Sequence, residues 1–320
     1  MVSFRKRGDD VSRVFVTGGA GFVGGPLCRA LKERGHELLL YDNLFNGRRE
    51  NVPGFDLVQG DIRDAALLKS TLAGFAPDAV IHLAAIHFIP YCNAHPAEAV
   101  DVNTRGTASL LEAAKAAPPE RVIAISTAAV YAPADRAHRE EDAPGPIDIY
   151  GYSKLFAEGL LQLYRRETGR AAIAVRLFNV YGLADTNPHV LPDILDQVRA
   201  GKGEIELGNL APKRDYIHAD DVAAALAALL DFEAKDNYHC FNLGTGNEVS
   251  VTELVEAIAR RLGKKIRIRS APSRQRKVER PHLLADISRI SGATGWRPRY
   301  DLARGIEKTL RDEGLLAAGR

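Results

Sequence analysis

The sequence predicts an α/β protein: a Rossmann-type doubly wound parallel sheet followed by a smaller mixed α/β C-terminal substrate lobe. Three observations carry that expectation. An apolar run at 14–16 stops at Thr17-Gly18-Gly19-Ala20-Gly21-Phe22-Val23-Gly24, and a helical pattern with Leu27, Ala30 and Leu31 follows. A second apolar run, 38–41, ends at Asp42. β-Branched runs then alternate with helical stretches, as buried parallel strands and their crossover helices do.

The first strand, turn and helix form a dinucleotide fingerprint. Gly18 allows the sharp turn, Gly21 lets the backbone approach a pyrophosphate, and Gly24 lets helix and strand pack closely. The helix N-terminus offers free N–H groups and a positive dipole end. Asp42, at the end of the second strand, is placed to accept hydrogen bonds from an adenosine ribose. Further strands are expected at 55–59, 79–83, 122–126 and 173–178, with helices at 65–72, 100–116 and 150–168. The rhythm loosens after residue 180. A helix following Pro192 runs to 200, short strands are expected at 205–207 and 215–217, and Asp220 and Asp221 open an alanine-rich helix at 222–230. A helix at 252–261, ended by Gly263, and a strand at 266–269 complete the pattern. The expected division is a tail at 1–12, a dinucleotide-binding Rossmann domain at 13–180 and a smaller mixed lobe at 181–320. The lobe closes a cleft on the carboxyl end of the sheet.

A chain of 320 residues accommodates two modest domains. A formal charge of +2 makes no case for nucleic acid or an anionic membrane. The three cysteines, Cys28, Cys92 and Cys240, lack metal spacing and fit a reducing compartment. The basic N-terminal stretch has no apolar core for a signal peptide, and no segment is long and apolar enough to span a bilayer. A cytoplasmic protein without a metal site is the expectation.

The chemistry concentrates at the carboxyl ends of the later strands. Gly60-Asp61-Ile62 follows the third strand; the Asp61 carboxylate can take hydrogen bonds from an adenine or cap the next helix. His82-Leu83-Ala84-Ala85 ends the fourth, its small residues suiting either a cofactor or close packing. Ser126-Thr127-Ala128-Ala129-Val130-Tyr131 ends the fifth. Tyr150 and Lys154, four apart, share a helix face. A phenol ionises near ~10 and is a poor base at neutral pH. A nearby ammonium and an oxidised nicotinamide favour the phenolate. Tyr152 falls on a different face.

These motifs, with Asn103, Arg176–Gly182 in sequence Arg-Leu-Phe-Asn-Val-Tyr-Gly, Arg214-Asp215-Tyr216-Ile217-His218 and Ala285-Asp286-Ile287-Ser288, resemble the extended short-chain dehydrogenase/reductase family in its NAD-dependent nucleotide-sugar epimerase/dehydratase branch. The resemblance runs from about residue 13 to about 310. It implies that Gly18, Gly21 and Gly24 hold the pyrophosphate of NAD, with Phe22 and Val23 on the same turn. Asp42 binds the adenosine ribose beside Asn43, and Asp61 and Ile62 flank the adenine. Leu83, Ala84 and Ala85 lie against the cofactor, and Asn103 and Lys154 hold its nicotinamide half. Thr127, Tyr150 and Lys154 form the catalytic set. Asn179 and Arg214 contact the diphosphate of a nucleoside-diphosphate sugar, Val190 and Leu207 line the base pocket, and Arg276 matches a second diphosphate arginine. A homodimer through helices 100–116 and 150–168 is implied by analogy, with Leu155, Leu160, Leu161 and Leu163 as candidate interface residues.

Three departures from the family pattern stand out. Lys277-Val278-Glu279-Arg280 replaces a Gly-Asp pair just after Arg276. His87 stands where a lysine or glutamine is more familiar, and reads equally as a sugar ligand or a buried hydrogen-bonded histidine. Ala128 and Ala129 follow Thr127, where dehydratases carry acids; methyl groups cannot donate or accept a proton. The implied reaction is therefore 4-epimerisation of a UDP-sugar, through a transient 4-keto intermediate. A 4-ketoreductase is the alternative, and an inactive NAD-sensing or scaffold protein is the alternative of another class. The sequence names neither the sugar nor the choice between uracil and thymine.

Overall fold

The computed structural model describes residues 12–235, 237–271, 274 and 280–317. The expected tail, apart from Ser12, lies outside the described residues, as do Arg276 and the segment 277–279.

Seven parallel strands form the main sheet: β1 (Arg13–Thr17), β2 (Glu37–Asp42), β3 (Leu57–Gln59), β4 (Ala79–His82), β5 (Arg121–Thr127), β6 (Ala171–Leu177) and β10 (Tyr238–Leu243). Their order is β10-β6-β5-β4-β1-β2-β3. The central strands are buried on both faces; all four residues of β4 and the first six of β6 are inaccessible. That explains their continuous apolar runs. Helices α1 (Gly24–Glu33) and α8 (Ala219–Asp231) cover one face and pack on each other. Helices α2 (Ala65–Phe75), α5 (Thr107–Lys115) and α6 (Ile149–Thr168) cover the other. Two short helices, α3 (Ile89–Ala94) and α4 (Pro96–Val100), precede α5.

The lobe is built from β7 (Asn179–Tyr181), α7 (Val190–Arg199), β8 (Glu204–Leu207), β9 (Lys213–His218), β11 (Glu248–Ser250), α9 (Val251–Leu262), β12 (Arg267–Ser270), α10 (Ser288–Thr294) and α11 (Leu302–Asp312). It carries a β11-β9-β7 sheet, a β12-β8 pair and its own apolar core, which includes Ile194, Ile205, Ile258 and Leu310.

Two expectations are corrected. The boundary at residue 180 does not cut the chain cleanly. Strand β10 pairs with β6, and Val222, Leu226 and Phe241 join the core beneath α1. The chain thus returns to the main sheet after the first part of the lobe, and β10 becomes its edge strand. The single helix expected at 100–116 is instead α4 and α5 joined by a wide π-type turn, Asp101–Gly106. Among the described residues no helix is long and apolar enough to cross a membrane.

Candidate active site

A cleft of about 1170 Å³ opens at the carboxyl end of the main sheet, between it and the lobe. Its first wall is the β1–α1 turn. Gly18 has φ +71°, and a Cβ there would stand 2.6 Å from the Ala84 nitrogen, so the turn excludes any side chain. No side chain caps α1 and its first turn holds no acid. Of its leading positions, Gly25 and Leu27 already donate to the Gly21 and Val23 carbonyls and Pro26 has no N–H, which leaves the Gly24 N–H and the positive dipole end for an anionic ligand.

The expected cofactor residues Gly18, Gly21, Phe22, Val23 and Gly24 line this wall; Asp42, Asn43 and Ile62 continue it, and Leu83, Ala84 and Ala85 close its floor. The Asp42 carboxylate is buried and accepts from the Ala20 and Leu44 amides at 3.0 and 2.8 Å. Burial raises its pKa, and those two amides pull it back down. The side chain is thus fixed, with each oxygen keeping a free lone pair.

Asp61 and Asn103 do not line the cleft. Each Asp61 oxygen already takes two donors. Oδ1 accepts from the Arg63 amide and Nε, and Oδ2 from Arg63 Nη2 and Asn43 Nδ2, all within 3.0 Å. The Arg63 guanidinium holds the carboxyl far below its ordinary range. Asp61 therefore anchors the loop that carries Ile62. Asn103, in the wide turn before α5, accepts from the Ile86 amide at 2.8 Å, and donates to the Ile86 carbonyl and to Ser153 Oγ. It ties the β4 loop to α6, which positions the cleft floor.

His82 is buried beneath that floor. The Thr107 hydroxyl gives its proton to the Asn103 carbonyl, so it can only accept from His82 Nε2–H, at 2.9 Å. Nδ1 then accepts from the Thr17 hydroxyl at 2.7 Å. Burial, with the charge of Lys154 as a smaller cause, lowers the His82 pKa to about 3, so the ring is neutral.

Helix α6 carries the remaining machinery. Asp148 caps it, accepting from the Gly151 amide at 2.8 Å. Gly151 is required because the Ala129 carbonyl presses on it; a Cβ would come within 2.5 Å of that oxygen. This close approach brings Tyr150 beside Thr127 at the end of β5. The two hydroxyls hydrogen-bond, which lowers the phenol pKa, although burial raises it by more. Thr127 Oγ1 also accepts from the Ala129 amide at 3.1 Å. One turn on, Lys154 Nζ donates to the Ile125 carbonyl at 2.7 Å. Burial lowers the Lys154 pKa to about 8, with the Glu158 carboxylate pulling it upward. The expected direct easing of Tyr150 by Lys154 is not part of this arrangement, because the ammonium is directed to the strand. Tyr152 is exposed, on the other face as expected.

Beneath Lys154 lies a buried ion pair: Arg176 Nε and Nη2 reach Glu158 at 2.9 and 2.8 Å. Ser126 Oγ also donates to Glu158, and the Arg176 guanidinium stacks over Tyr131 at 4.7 Å. The pair locks α6 to β5 and β6.

On the lobe side, His87, Asn179, Val190, Leu207 and Arg214 all line the cleft. His87 Nε2 accepts from Asn187 Nδ2 at 3.1 Å, and its other nitrogen hydrogen-bonds the Ala85 backbone. Burial, then the neighbouring His189, lowers its pKa to about 4, so it presents a neutral ring. His87 is thus hydrogen-bonded and also faces the cleft. Sequence reasoning missed His189, whose Nδ1 meets Asp185 at 2.8 Å, and Arg280, whose guanidinium donates to the Ala128 and Ala129 carbonyls at 3.1 and 2.9 Å. Arg274, also in the lining, pairs with Asp193 at 2.7 Å.

Residues 14–244 match the NAD dependent epimerase/dehydratase family. A UDP-glucose 4-epimerase from Streptomyces lividans is 34% identical over 91% of the chain and 93% of its own length. Among solved structures, a Thermus thermophilus UDP-glucose 4-epimerase in complex with NAD superposes with a TM-score of 0.86 at 31% identity, covering 95% of this chain and 100% of that one. A Thermotoga maritima UDP-glucose 4-epimerase with UDP-glucose gives 0.88 at 26% identity, over 95% and 99%.

Proposed function

The chain belongs to the NAD dependent epimerase/dehydratase family, and from that premise we propose that it is an NAD-dependent 4-epimerase of nucleoside-diphosphate sugars, UDP-sugars first among them. The observation that carries this reading is the Tyr150–Thr127 pair, buried at the inner end of a cleft whose outer wall is built for a dinucleotide.

The residues present fit NAD. The uncapped α1 and the side-chain-free turn at Gly18 suit a pyrophosphate, and the fixed Asp42 suits a ribose carrying free hydroxyls. Its negative charge opposes the additional phosphate of NADP. Bound NAD supplies the hydride acceptor and donor. Ile62 would border the adenine, and Lys154 would hold the nicotinamide half. Asp61 and Asn103 support the loops that shape these ends.

Tyr150 accepts the proton of the sugar 4-hydroxyl and later returns it; Thr127 orients both oxygens. Lys154, held by the Ile125 carbonyl, places its positive charge in the same cleft. Arg214 and Asn179 hold the diphosphate, so the 4-keto sugar stays tethered while it presents its other face. Val190 and Leu207 supply apolar surface for the base. Ala128 and Ala129 leave no acid to expel water from the sugar, which favours epimerisation over dehydration. Asp42 favours tightly held NAD over consumed NADPH, and hence internal redox over a ketoreductase.

Purified protein incubated with UDP-glucose or UDP-glucuronic acid should produce the 4-epimer, with no net change in nicotinamide absorbance. Absence of epimerisation with any nucleoside-diphosphate sugar contradicts the reading.

A homodimer is part of the same proposal. Its support is an exposed apolar face on α6, formed by Tyr152, Phe156 and Leu163. Of the leucines expected there, Leu161 is buried in the core, and Leu155 and Leu160 pack against core clusters. Sedimentation equilibrium tests it: Phe156→Glu should yield a monomer.

A further inference from the structure

We propose that Arg280 is a specificity-determining residue that selects a sugar nucleotide bearing a carboxylate on its sugar, a hexuronic acid rather than a neutral hexose. The proposal rests on the 4-epimerase reading.

Arg280 is only 7% exposed, yet it lines the cleft. Its backbone lies at the Arg214 end, where Arg214 Nη1 donates to the Arg280 carbonyl at 2.8 Å. Its guanidinium extends away from there to the Ala128 and Ala129 carbonyls. Those carbonyls belong to the turn that Thr127 opens, and that of Ala129 presses against Gly151, next to Tyr150. The charge therefore sits beside the catalytic pair, at the sugar end of the cleft.

Its electrostatic situation is incomplete. Two carbonyls occupy two of the five N–H donors of a guanidinium. A buried charge needs a counter-charge as well as hydrogen bonds. Among the described residues the carboxylate that acts on Arg280 is Asp148, which does so through space while its Oδ1 caps α6. Burial lowers the Arg280 pKa, and the nearby positive charge of Arg214 lowers it further. Residues 128 and 129 themselves are alanines, so their side chains bring no charge. A directly paired negative charge is one a ligand can bring. A planar carboxylate on the ring matches the guanidinium fork in a way that a hydroxymethyl group does not.

The test measures kcat/KM for UDP-glucuronic acid and UDP-glucose with the NAD-loaded, full-length wild type, Arg280→Leu and Arg280→Lys. Wild type should prefer the acidic sugar. Arg280→Leu should reduce its kcat/KM by on the order of 10²-fold, with only a few-fold change for UDP-glucose, and Arg280→Lys should recover part of the loss. A wild type that prefers UDP-glucose overturns the proposal. So does a parallel loss on both substrates, which would make Arg280 a diphosphate ligand or a support for the turn. Should Arg280→Leu not fold, calorimetric Kd values of the wild type decide: UDP-glucuronic acid must bind more tightly than UDP-glucose. Those Kd values also stand if neither sugar turns over, so failure of the epimerase reading is distinguishable from failure of this one.

Discussion

Lys154 Nζ donates to the Ile125 carbonyl at 2.7 Å, and so is directed at the strand beneath the cleft rather than at the phenol of Tyr150 one turn away. The ammonium is positioned by the sheet and acts on the site through its charge. It is also desolvated, which brings its pKa down to about 8. The charge is present below that value and is lost as pH rises through it. The kcat/KM profile should therefore fall on an alkaline limb near pH 8. Lys154→Met should lower the rate by about 10²-fold and abolish that limb. A variant that retains the limb would assign it to another group.

The ion pair below Lys154 yields a stability prediction. Glu158 and Arg176 are both buried, and Ser126 and the Tyr131 ring complete their surroundings. Glu158→Ala leaves a buried guanidinium without its carboxylate, at a cost of about 3–5 kcal/mol. Urea unfolding should register that loss in the midpoint.

His82 links stability to pH. Its pKa falls from about 6.5 in the unfolded chain to about 3 in the fold, because desolvation penalises the imidazolium. Between these values the unfolded state binds the additional proton. The contribution is complete above pH 6.5 and declines as pH falls, by about 2 kcal/mol at pH 5. His87, lowered to about 4, acts in the same direction. Unfolding midpoints measured from pH 7 to pH 4.5 should fall steadily. His82→Gln should be less stable at pH 7 and should reduce the pH slope by about one proton.

The parts legible in the sequence are those with local signals. The Gly18–Gly24 turn, Asp42 and the Tyr150–Lys154 spacing each announce themselves within a few residues, because each is set by backbone geometry at one turn or by one helix face. What was illegible depends on partners distant in the chain. Strand β10 is joined to β6 across an intervening lobe, and no motif marks it as the seventh strand. The saturation of Asp61 comes from Arg63, two residues on, a cue that was present and outweighed by the adenine role. Arg280 meets Ala128 and Ala129 across about 150 residues of sequence, which no periodicity reveals. The His87–Asn187 contact arises likewise, across 100 residues of sequence, whereas the His189–Asp185 pair spans only four residues within one loop.

The central claim is that the Tyr150 oxygen exchanges a proton with the sugar 4-hydroxyl, and Tyr150→Phe tests it most directly. The variant keeps the ring and its packing and loses the oxygen alone. Epimerisation should fall by about 10²–10⁴-fold, while mass spectrometry of the denatured protein should show NAD retained at wild-type occupancy. Epimerisation at the wild-type rate by this variant would contradict the account.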